Sequence, residues 1–168
     1  VNPFNFDVGI GGFIPNQPHL IQKELFPDYN QFFASEDYLK KYGMPQIPGD
    51  LDQHRLITYK GQNSYTSYRS INLLLNIGNA SLKSPRKPYF EVDALSGMIN
   101  AVLQGYGIAE LPLFAAMHYP ELRLVLPEIK GQNLPIYYIM QSNRKNSKKI
   151  QAFYRYLFEK SAPERDNV

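Results

Sequence analysis

The sequence contains no cysteine and no long apolar segment, and each absence excludes a class of protein. Without thiols the chain cannot form a disulfide scaffold, a thiolate metal site or a cysteine nucleophile, and it fits a reducing compartment. No segment approaches the roughly 18 uninterrupted apolar residues of a membrane helix. Residues 1–10 also lack the basic start and long apolar run of a signal peptide. We therefore expect a cytoplasmic protein with no membrane partner.

Side chains suited to catalysis or metal binding are also scarce. The three histidines, His19, His54 and His118, have no metal-ligand spacing to one another or to paired carboxylates. No serine lies in a Gly-x-Ser-x-Gly elbow. His54 falls between Leu51 and Leu56, where a packed structural histidine is the expected role. The sequence therefore predicts no enzyme, no cofactor and no metal site.

Gly9, Gly11 and Gly12 lie close together near the start of the chain, as glycines do in loops that hold phosphates. A phosphate-binding loop, however, ends in Gly-Lys-Ser/Thr and leads directly into a helix, and this segment does neither. A tight turn after a short strand is therefore the favoured interpretation.

The composition of the 168-residue chain is that of a folded protein, since 43% of its residues are hydrophobic. That content suffices for one domain or two small lobes. The net charge is +3. Positive residues cluster in a predicted loop and at the start of the last predicted helix: Lys83, Arg86 and Lys87, then Arg144, Lys145, Lys148 and Lys149. Solvated surfaces are the favoured interpretation, and a polyanion-binding patch is the alternative.

The apolar spacing predicts strands that alternate with helices. The predicted strands are Phe6–Ile10, Ile21–Phe33 with a break at Pro27, Arg55–Tyr59, Ile71–Ile77, Pro88–Val92, Ile108–Leu111, Leu122–Leu126 and Leu134–Met140. The predicted helices are Glu36–Tyr42, one turn over Leu51–His54 capped by Asp50, a helix after Asp93, a second helix before Leu122, and a final helix from the cap Ser147 to Lys160. Lys60–Ser70 is predicted to be a hydroxyl-rich loop, and residues 161–168 a frayed tail.

The segment from Phe90 to Pro127 is the most informative part of the chain. Apolar residues spaced three or four apart follow Asp93, whose carboxylate is expected to cap the helix that they predict. Gly105 and Gly107 then end that helix and lead into a short buried strand. This succession is typical of an α/β ligand-binding domain. Contact of the Asp93 helix start with a ligand is the alternative to simple capping.

Several short motifs occur along the chain in a fixed order. They are Asp7-Val8-Gly9-Ile10, Asp37-Tyr38-Leu39 with Gly43-Met44-Pro45, Asp50-Leu51 with His54 and Leu56-Ile57, Ala101-Val102 with Gly105-Tyr106-Gly107-Ile108-Ala109, and Leu111-Pro112. In this order and spacing they resemble the effector-binding domain of LysR-type transcriptional regulators. Leu124–Pro127, Pro135–Ile139 and Ser147–Leu157 fit that family's closing strand, return strand and last helix, so that the resemblance covers nearly the whole chain.

The resemblance implies an α/β fold with two lobes, similar to type 2 periplasmic binding proteins, that holds a small ligand in a cleft between the lobes. Residues 1–25 would be the end of lobe one, 26–127 lobe two, and 128–168 the return to lobe one with the C-terminal helix. Lobe one would be incomplete, because the family places a winged helix-turn-helix, a linker helix and further lobe-one elements before this point. DNA would be bound only through that missing helix-turn-helix.

The resemblance also implies a site. The turn Gly11-Gly12-Phe13 would border the effector cleft, and Ser64, Tyr65, Thr66 and Ser67 would supply second-lobe contacts. Their hydroxyls can donate hydrogen bonds to a carboxylate without a fixed charge, which suits a carboxylate or amino-acid-like metabolite as the effector. An ordinary solvated loop is the alternative interpretation of residues 64–67.

Two further functions share this fold. A periplasmic-type solute-binding protein of a transporter has the same cleft, although the Asp50-Leu51 and His54 motif favours a regulator. An oligomerisation module without a working effector site is the other. Regulators of this family pair their effector domains, so that a homodimer or homotetramer is expected. The 13 tyrosines suit either an interface or a cleft, because a tyrosine ring is rigid and carries a polar tip.

Overall fold

A computed structural model describes residues 6–60, 73–78 and 85–166 and divides into two compact units. The described residues of the first unit are 6–28 and 133–166, and those of the second are 29–60, 73–78 and 85–132. None of the helices in these ranges is both long and apolar enough to cross a membrane.

The described residues form eight strands and six α-helices. The strands are β1 (Val8–Gly11), β2 (Leu20–Phe26), β3 (Asn30–Ser35), β4 (Leu56–Tyr59), β5 (Phe90–Val92), β6 (Ile108–Pro112), β7 (Leu122–Val125) and β8 (Ile136–Gln141). The helices are α1 (Glu36–Tyr42), α2 (Leu73–Asn76), α3 (Leu95–Leu103), α4 (Leu113–Ala116), α5 (Lys148–Lys160) and α6 (Ala162–Asp166). Within the same described ranges, two 3-10 helices span Pro48–Gln53 and Ser142–Arg144.

The first unit is built on a three-stranded antiparallel sheet with β8 between β1 and β2. Side chains alternate between the two faces of each strand. On one face, Tyr138 and Met140 pack with Ile150 of α5. On the other face, Leu20 and Ile139 form a smaller cluster. Among the described residues, no helical residue belongs to this second cluster.

The second unit contains a five-stranded sheet in the order β5-β4-β6-β3-β7. β4 pairs in parallel with β5 and β6, whereas β3 pairs antiparallel with β6 and β7. The buried face of α3, with Met98 and Val102, packs on one side of the sheet. Tyr38 of α1 and Leu74 of α2 pack with Phe32 on the other side. The unit is thus a sheet with helices on both faces, each burying its own cluster.

The Gly-Tyr-Gly turn before β6 is confirmed, and the structure requires a glycine at both positions. Gly105 has a φ of +74°, which glycine adopts without the steric cost of a Cβ. At Gly107 a Cβ would lie 2.3 Å from the carbonyl oxygen of Arg55. That same oxygen accepts a hydrogen bond from the N–H of Ile108 at 2.8 Å. Close approach at Gly107 therefore lets β6 pair with β4.

The helix predicted over Glu36–Tyr42 is confirmed with both of its ends. The Ser35 side chain accepts a hydrogen bond from the N–H of Tyr38, and Gly43, with a φ of +88°, ends the helix. The strands predicted around Arg55–Tyr59 and Ile108–Leu111 are also confirmed, with boundaries shifted by one residue.

The strand predicted over Ile71–Ile77 is wrong, because Leu73–Asn76 forms the helix α2. A short apolar run fits a strand or a buried helical turn equally well, and its leucines are good helix formers. Leu74 is 1% exposed, and the N–H of Ile77 donates to the carbonyl of Leu73. Burial of the Leu74 side chain therefore stabilises the helix rather than a strand.

Two predicted helix caps are also wrong. Ala94, not Asp93, occupies the N-cap position of α3, and no side chain caps that end. Asp50 lies inside the 3-10 helix, where its carboxylate accepts hydrogen bonds from the N–H groups of Gln46 and Ile47. Asp50 thus closes the turn that precedes it, and Asp93 remains exposed.

The tail predicted to fray contains α6. Arg165 secures it, because its guanidinium donates to the carbonyl of Leu25 at 3.0 Å and to the hydroxyl of Ser161 at 2.8 Å. The same guanidinium lies 3.9 Å from the centre of the Phe158 ring. One arginine therefore attaches the C-terminal segment to β2.

Candidate ligand-binding site

The predicted segment Gly11-Gly12-Phe13 leads from β1 onto the less covered face of the first unit's sheet. Phe13 is 47% exposed, and its ring meets the Tyr137 ring edge-on, with 5.4 Å between centroids. Gly11 pairs with Tyr137 across the strands. Among the described residues, no heavy atom lies within 4 Å of a Cβ placed at Gly11.

A pocket of about 450 Å³ lies next to this segment, between the β1–β2 connection and β2. Its lining combines apolar and amide side chains. The apolar ones are Phe13, Ile14, Pro18 and Leu20, and the amides are Asn16, Gln17 and Gln22. Of the predicted site residues, Phe13 lines the pocket. The pocket is large enough to hold a small organic molecule.

The connection that forms the pocket is held by a pair of hydrogen bonds from one side chain. The Gln22 amide accepts from the N–H of Ile14 at 2.9 Å and donates to the carbonyl of Ile14 at 2.7 Å. Asn16 adopts a φ of +58°, which asparagine tolerates better than most residues, and the N–H of Leu20 donates to the carbonyl of Gln17 at 3.0 Å. These bonds fix one conformation for the wall of the pocket.

Sequence reasoning missed Gln22, the residue that fixes this wall. Its place between Leu20 and Glu24 puts it on the same strand face as both, which the period of two could have indicated. The hydrogen bonds to Ile14 could not be inferred, because they depend on how the connection folds back over the strand.

Among the described residues, the pocket lining contains no ionisable side chain, and the ionisable residues His19, Lys23 and Glu24 adjoin it in sequence. Glu24 follows Gln22 by two residues on the same face of β2, and the Tyr137 hydroxyl donates to its carboxylate at 3.5 Å. Burial raises the pKa of Tyr137, and the neighbouring Glu24 carboxylate adds to that rise. Tyr137 thus stays a neutral hydrogen-bond donor at physiological pH.

Ser64, Tyr65, Thr66 and Ser67 lie outside the described residues. Their predicted role in ligand binding therefore stays a prediction.

The second unit has a buried carboxylate beside the start of α2. Glu110 of β6 is 7% exposed and accepts hydrogen bonds from the Asn30 amide at 3.3 Å and from the N–H of Leu73 at 3.1 Å. Burial raises the pKa of Glu110, although these two donors oppose the rise. Gly131 leaves space for the carboxylate, since a Cβ there would lie 2.7 Å from its oxygen. Glu110 thus anchors the first residue of α2.

The raised pKa of Glu110 predicts a pH dependence of stability. Its folded-state pKa lies above the ordinary value of 4.5, so that the folded protein binds the proton more tightly. The resulting stabilisation is complete below the unfolded pKa and is lost as the pH rises through the folded pKa. The unfolding free energy of the wild type minus that of Glu110→Gln should therefore increase as the pH is lowered from 7 to about 4.5, measured by urea denaturation.

Glu36→Gln is the matched control with the opposite sign. Hydrogen bonding and attraction to Lys40, together with attraction to Arg123, lower the pKa of Glu36. Its contribution is present above the unfolded pKa and is lost only as the pH falls below about 4.5, so that the Glu36→Gln difference should change little between pH 7 and that value. A Glu110→Gln difference that stayed equally flat over this range, or that fell as the pH was lowered, would contradict the assignment.

His54 is a structural residue, as predicted. The Tyr38 hydroxyl accepts a hydrogen bond from the N–H of Arg55 at 2.9 Å and lies 3.1 Å from Nδ1 of His54. The hydroxyl can therefore donate its own proton to Nδ1. Burial lowers the pKa of His54, which favours this neutral form.

Arg86 departs from the prediction that the basic clusters are solvated. Its side chain is 5% exposed and forms an ion pair with Asp52 at 2.5 Å. Its guanidinium also donates to the carbonyls of Leu74, Ile77 and Pro48. Arg86 thus ties α2 to the first 3-10 helix and is not available for a polyanion. Lys87, in contrast, is exposed.

No group of three or more histidine, aspartate or glutamate side chains suited to a metal ion occurs within residues 6–60, 73–78 and 85–166.

Comparison with known proteins places these features in a family. The model of the LysR substrate binding domain matches residues 4–162. The chain is 27% identical over 157 residues to a probable HTH-type transcriptional regulator, SinR, of Salmonella typhimurium, covering 84% of this chain and 45% of that protein. It is 30% identical over 131 residues to an uncharacterized HTH-type transcriptional regulator of Haemophilus influenzae, covering 74% of this chain and 43% of that protein. The chain thus spans less than half the length of these relatives.

The solved structures show a similar fold. The regulatory domain of CrgA, a LysR-type transcriptional regulator from Neisseria meningitidis, matches with a TM-score of 0.75 at 20% identity, covering 92% of this chain and 74% of that domain. The predicted fold class, α/β and similar to type 2 periplasmic binding proteins, is confirmed. A transporter protein is not favoured, since the relatives are transcriptional regulators.

Proposed function

The chain belongs to the LysR substrate-binding domain family, and we propose that it is the effector-sensing part of a LysR-type transcriptional regulator. The family match over residues 4–162 is the observation that carries this proposal. In the whole protein, a helix-turn-helix outside this chain would bind DNA. A small molecule bound here would change the population of two conformations and so the way in which the DNA-binding parts sit on an operator.

The proposed effector contacts are those implied by the resemblance. Gly11, Gly12 and Phe13 would contribute from the first unit, where Phe13 lines a pocket. The hydroxyls of residues 64–67 would donate hydrogen bonds to a carboxylate or amino-acid-like effector. Residues 1–25 and 128–168 would be lobe one, and 26–127 lobe two.

The proposed role in transcription also implies a compartment and an oligomeric state. The protein would act in the cytoplasm, where the DNA is, without catalysing a reaction. It would act as a homodimer or homotetramer. Exposed apolar side chains near α4 support such pairing: Phe114 is 39% exposed, Met117 70% and Tyr119 37%.

A thermal-shift screen of bacterial metabolites tests the effector-sensing role. A ligand at about 100 times its dissociation constant would stabilise the chain by about 2.7 kcal/mol. We expect the double variant Thr66→Ala/Ser67→Ala to melt at nearly the wild-type temperature without ligand and to show a smaller shift with it.

The screen also distinguishes a pure oligomerisation module. Such a module would show no ligand-dependent shift, and its melting temperature would depend on protein concentration alone. If a ligand shifted the wild type and the double variant equally, residues 66 and 67 would not contact it.

A further inference from the structure

The pocket beside Phe13 has a wall formed before any ligand arrives. Both backbone groups of Ile14 are bonded to the Gln22 side chain, and the carbonyl of Gln17 is bonded to Leu20. A fixed wall reduces the conformational entropy that binding costs. The pocket can therefore favour one class of ligand by shape and chemistry.

We propose that this pocket of the first unit binds an uncharged, planar ligand, or the uncharged planar end of a larger one, through the Phe13 ring and neighbouring amide side chains. If it is the effector that binds in this way, the inference rests on the effector-sensing function proposed above. It differs from the carboxylate chemistry expected of residues 64–67.

The aromatic contact comes from Phe13. Its ring is 47% exposed and is oriented by the edge contact with Tyr137. A ligand ring can pack against the exposed part in the stacked or edge-on arrangements that aromatic pairs prefer. Leu20, which is 8% exposed, and Pro18 add apolar surface.

The polar contacts come from amides. Asn16 and Gln17 are among the residues that line the pocket, and the side-chain amide of each carries both a donor and an acceptor. An amide, lactam or similar group on the ligand can therefore satisfy its own donor and acceptor here. Such neutral pairs require no counter-charge.

An anionic ligand is disfavoured. Among the described residues the lining offers no cation, so that a carboxylate bound there would form no ion pair with it. Glu24 lies two residues from Gln22 on the same strand face, about 7 Å along the strand. Its negative charge would repel a second carboxylate.

Nicotinamide and nicotinate test this preference, since they share one ring and differ in the amide and the carboxylate. Each is titrated into the full chain at pH 7 and followed by the backbone amide signals of Phe13, Leu20 and Gln22 in nitrogen-15 NMR spectra. A probe of this size should have a dissociation constant on the order of 1 mM. We expect nicotinamide to bind about fivefold more tightly than nicotinate, the difference that one hydrogen bond makes.

Two variants make the test specific. Phe13→Ala should weaken nicotinamide binding about fivefold, because the aromatic contact is lost. Phe90→Ala is the matched control, since Phe90 is 45% exposed but lies in the second unit. It should leave binding unchanged.

Gln17→Lys introduces a positive charge into the lining of the pocket. It keeps the hydrogen bond that the backbone carbonyl of Gln17 accepts from Leu20. The new cation should bring nicotinate to at least the affinity of nicotinamide. Leu20, Gln22 and Ile14 keep their roles in this variant, so that the fold is retained.

The proposal is overturned if nicotinamide shifts none of these signals at about 20 mM, well above the expected dissociation constant. It is also overturned if nicotinate binds the wild type as tightly as nicotinamide, or if Phe13→Ala and Phe90→Ala behave alike. Such results leave the regulator function intact when a metabolite still shifts the melting temperature. The thermal-shift screen tests the regulator function and the nicotinamide titration tests this pocket, so that either can fail without the other.

Discussion

Replacement of Arg86 by methionine is expected to lower the free energy of unfolding by about 3 kcal/mol. Methionine keeps much of the aliphatic length but leaves the carbonyls of Leu74, Ile77 and Pro48 without their donor. The Asp52 carboxylate, whose side chain is 43% exposed, can regain water. Most of the loss therefore comes from the buried carbonyls.

The measurement is urea denaturation followed by circular dichroism, with calorimetry as a second probe. For a chain of this size the melting temperature should fall by roughly 6–12 °C. Lys87→Met is the matched control, because Lys87 is exposed, and it should change stability by less than about 0.5 kcal/mol. Equal effects of the two substitutions would show that Arg86 does not hold α2.

Replacement of Gly107 by alanine is expected to cost about 3 kcal/mol or more. The added methyl would meet two backbone atoms of Arg55, its oxygen at 2.3 Å and its carbon at 2.9 Å. Backbone atoms cannot relieve a clash by rotating, as a side chain can. The two strands would therefore have to separate, and the N–H of Ile108 would lose its hydrogen bond to the Arg55 oxygen. The first link between β4 and β6 would be broken.

Gly11→Ala is the matched control for this substitution. Within the described part of the chain, no heavy atom lies within 4 Å of a Cβ at Gly11, and its φ is not positive. Its unfolding free energy should stay within about 0.5 kcal/mol of the wild type in the same urea titration. If Gly107→Ala were equally neutral, the close contact with Arg55 would not exist in solution.

Local signals predicted much of the fold. The helix predicted over Glu36–Tyr42 is present with both ends, and the residues that bound it, Ser35 and Gly43, act within a few residues of it. In the turn after α3, the requirement for Gly105 is also local, because it comes from the positive φ of that residue itself. The reason for Gly107 is not local, because it depends on the distant carbonyl of Arg55.

Two of the wrong predictions, the strand at Ile71–Ile77 and the solvated Arg86, share a physical cause, which is tertiary contact. Leu73–Asn76 is a helix because Leu74 is buried and because Glu110, distant in sequence, accepts a hydrogen bond from Leu73. Arg86 is buried because three carbonyls from separate segments converge on it. Neither contact leaves a periodic pattern in the sequence.

The candidate site was predicted only in part. Phe13 was identified through the family resemblance and lines the pocket. Gln22 and Tyr137, which hold the wall and orient the ring, come from β2 and β8, whose pairing brings them together. Sequence order alone does not give that register.

The role of this chain as the effector-sensing part of a DNA-binding regulator is tested most directly by sequencing the coding DNA on the 5′ side of the Val1 codon. We expect an in-frame winged helix-turn-helix followed by a linker helix, in keeping with the HTH-type relatives, of which this chain spans less than half. A signal peptide in that position would contradict the assignment and indicate an exported solute-binding protein.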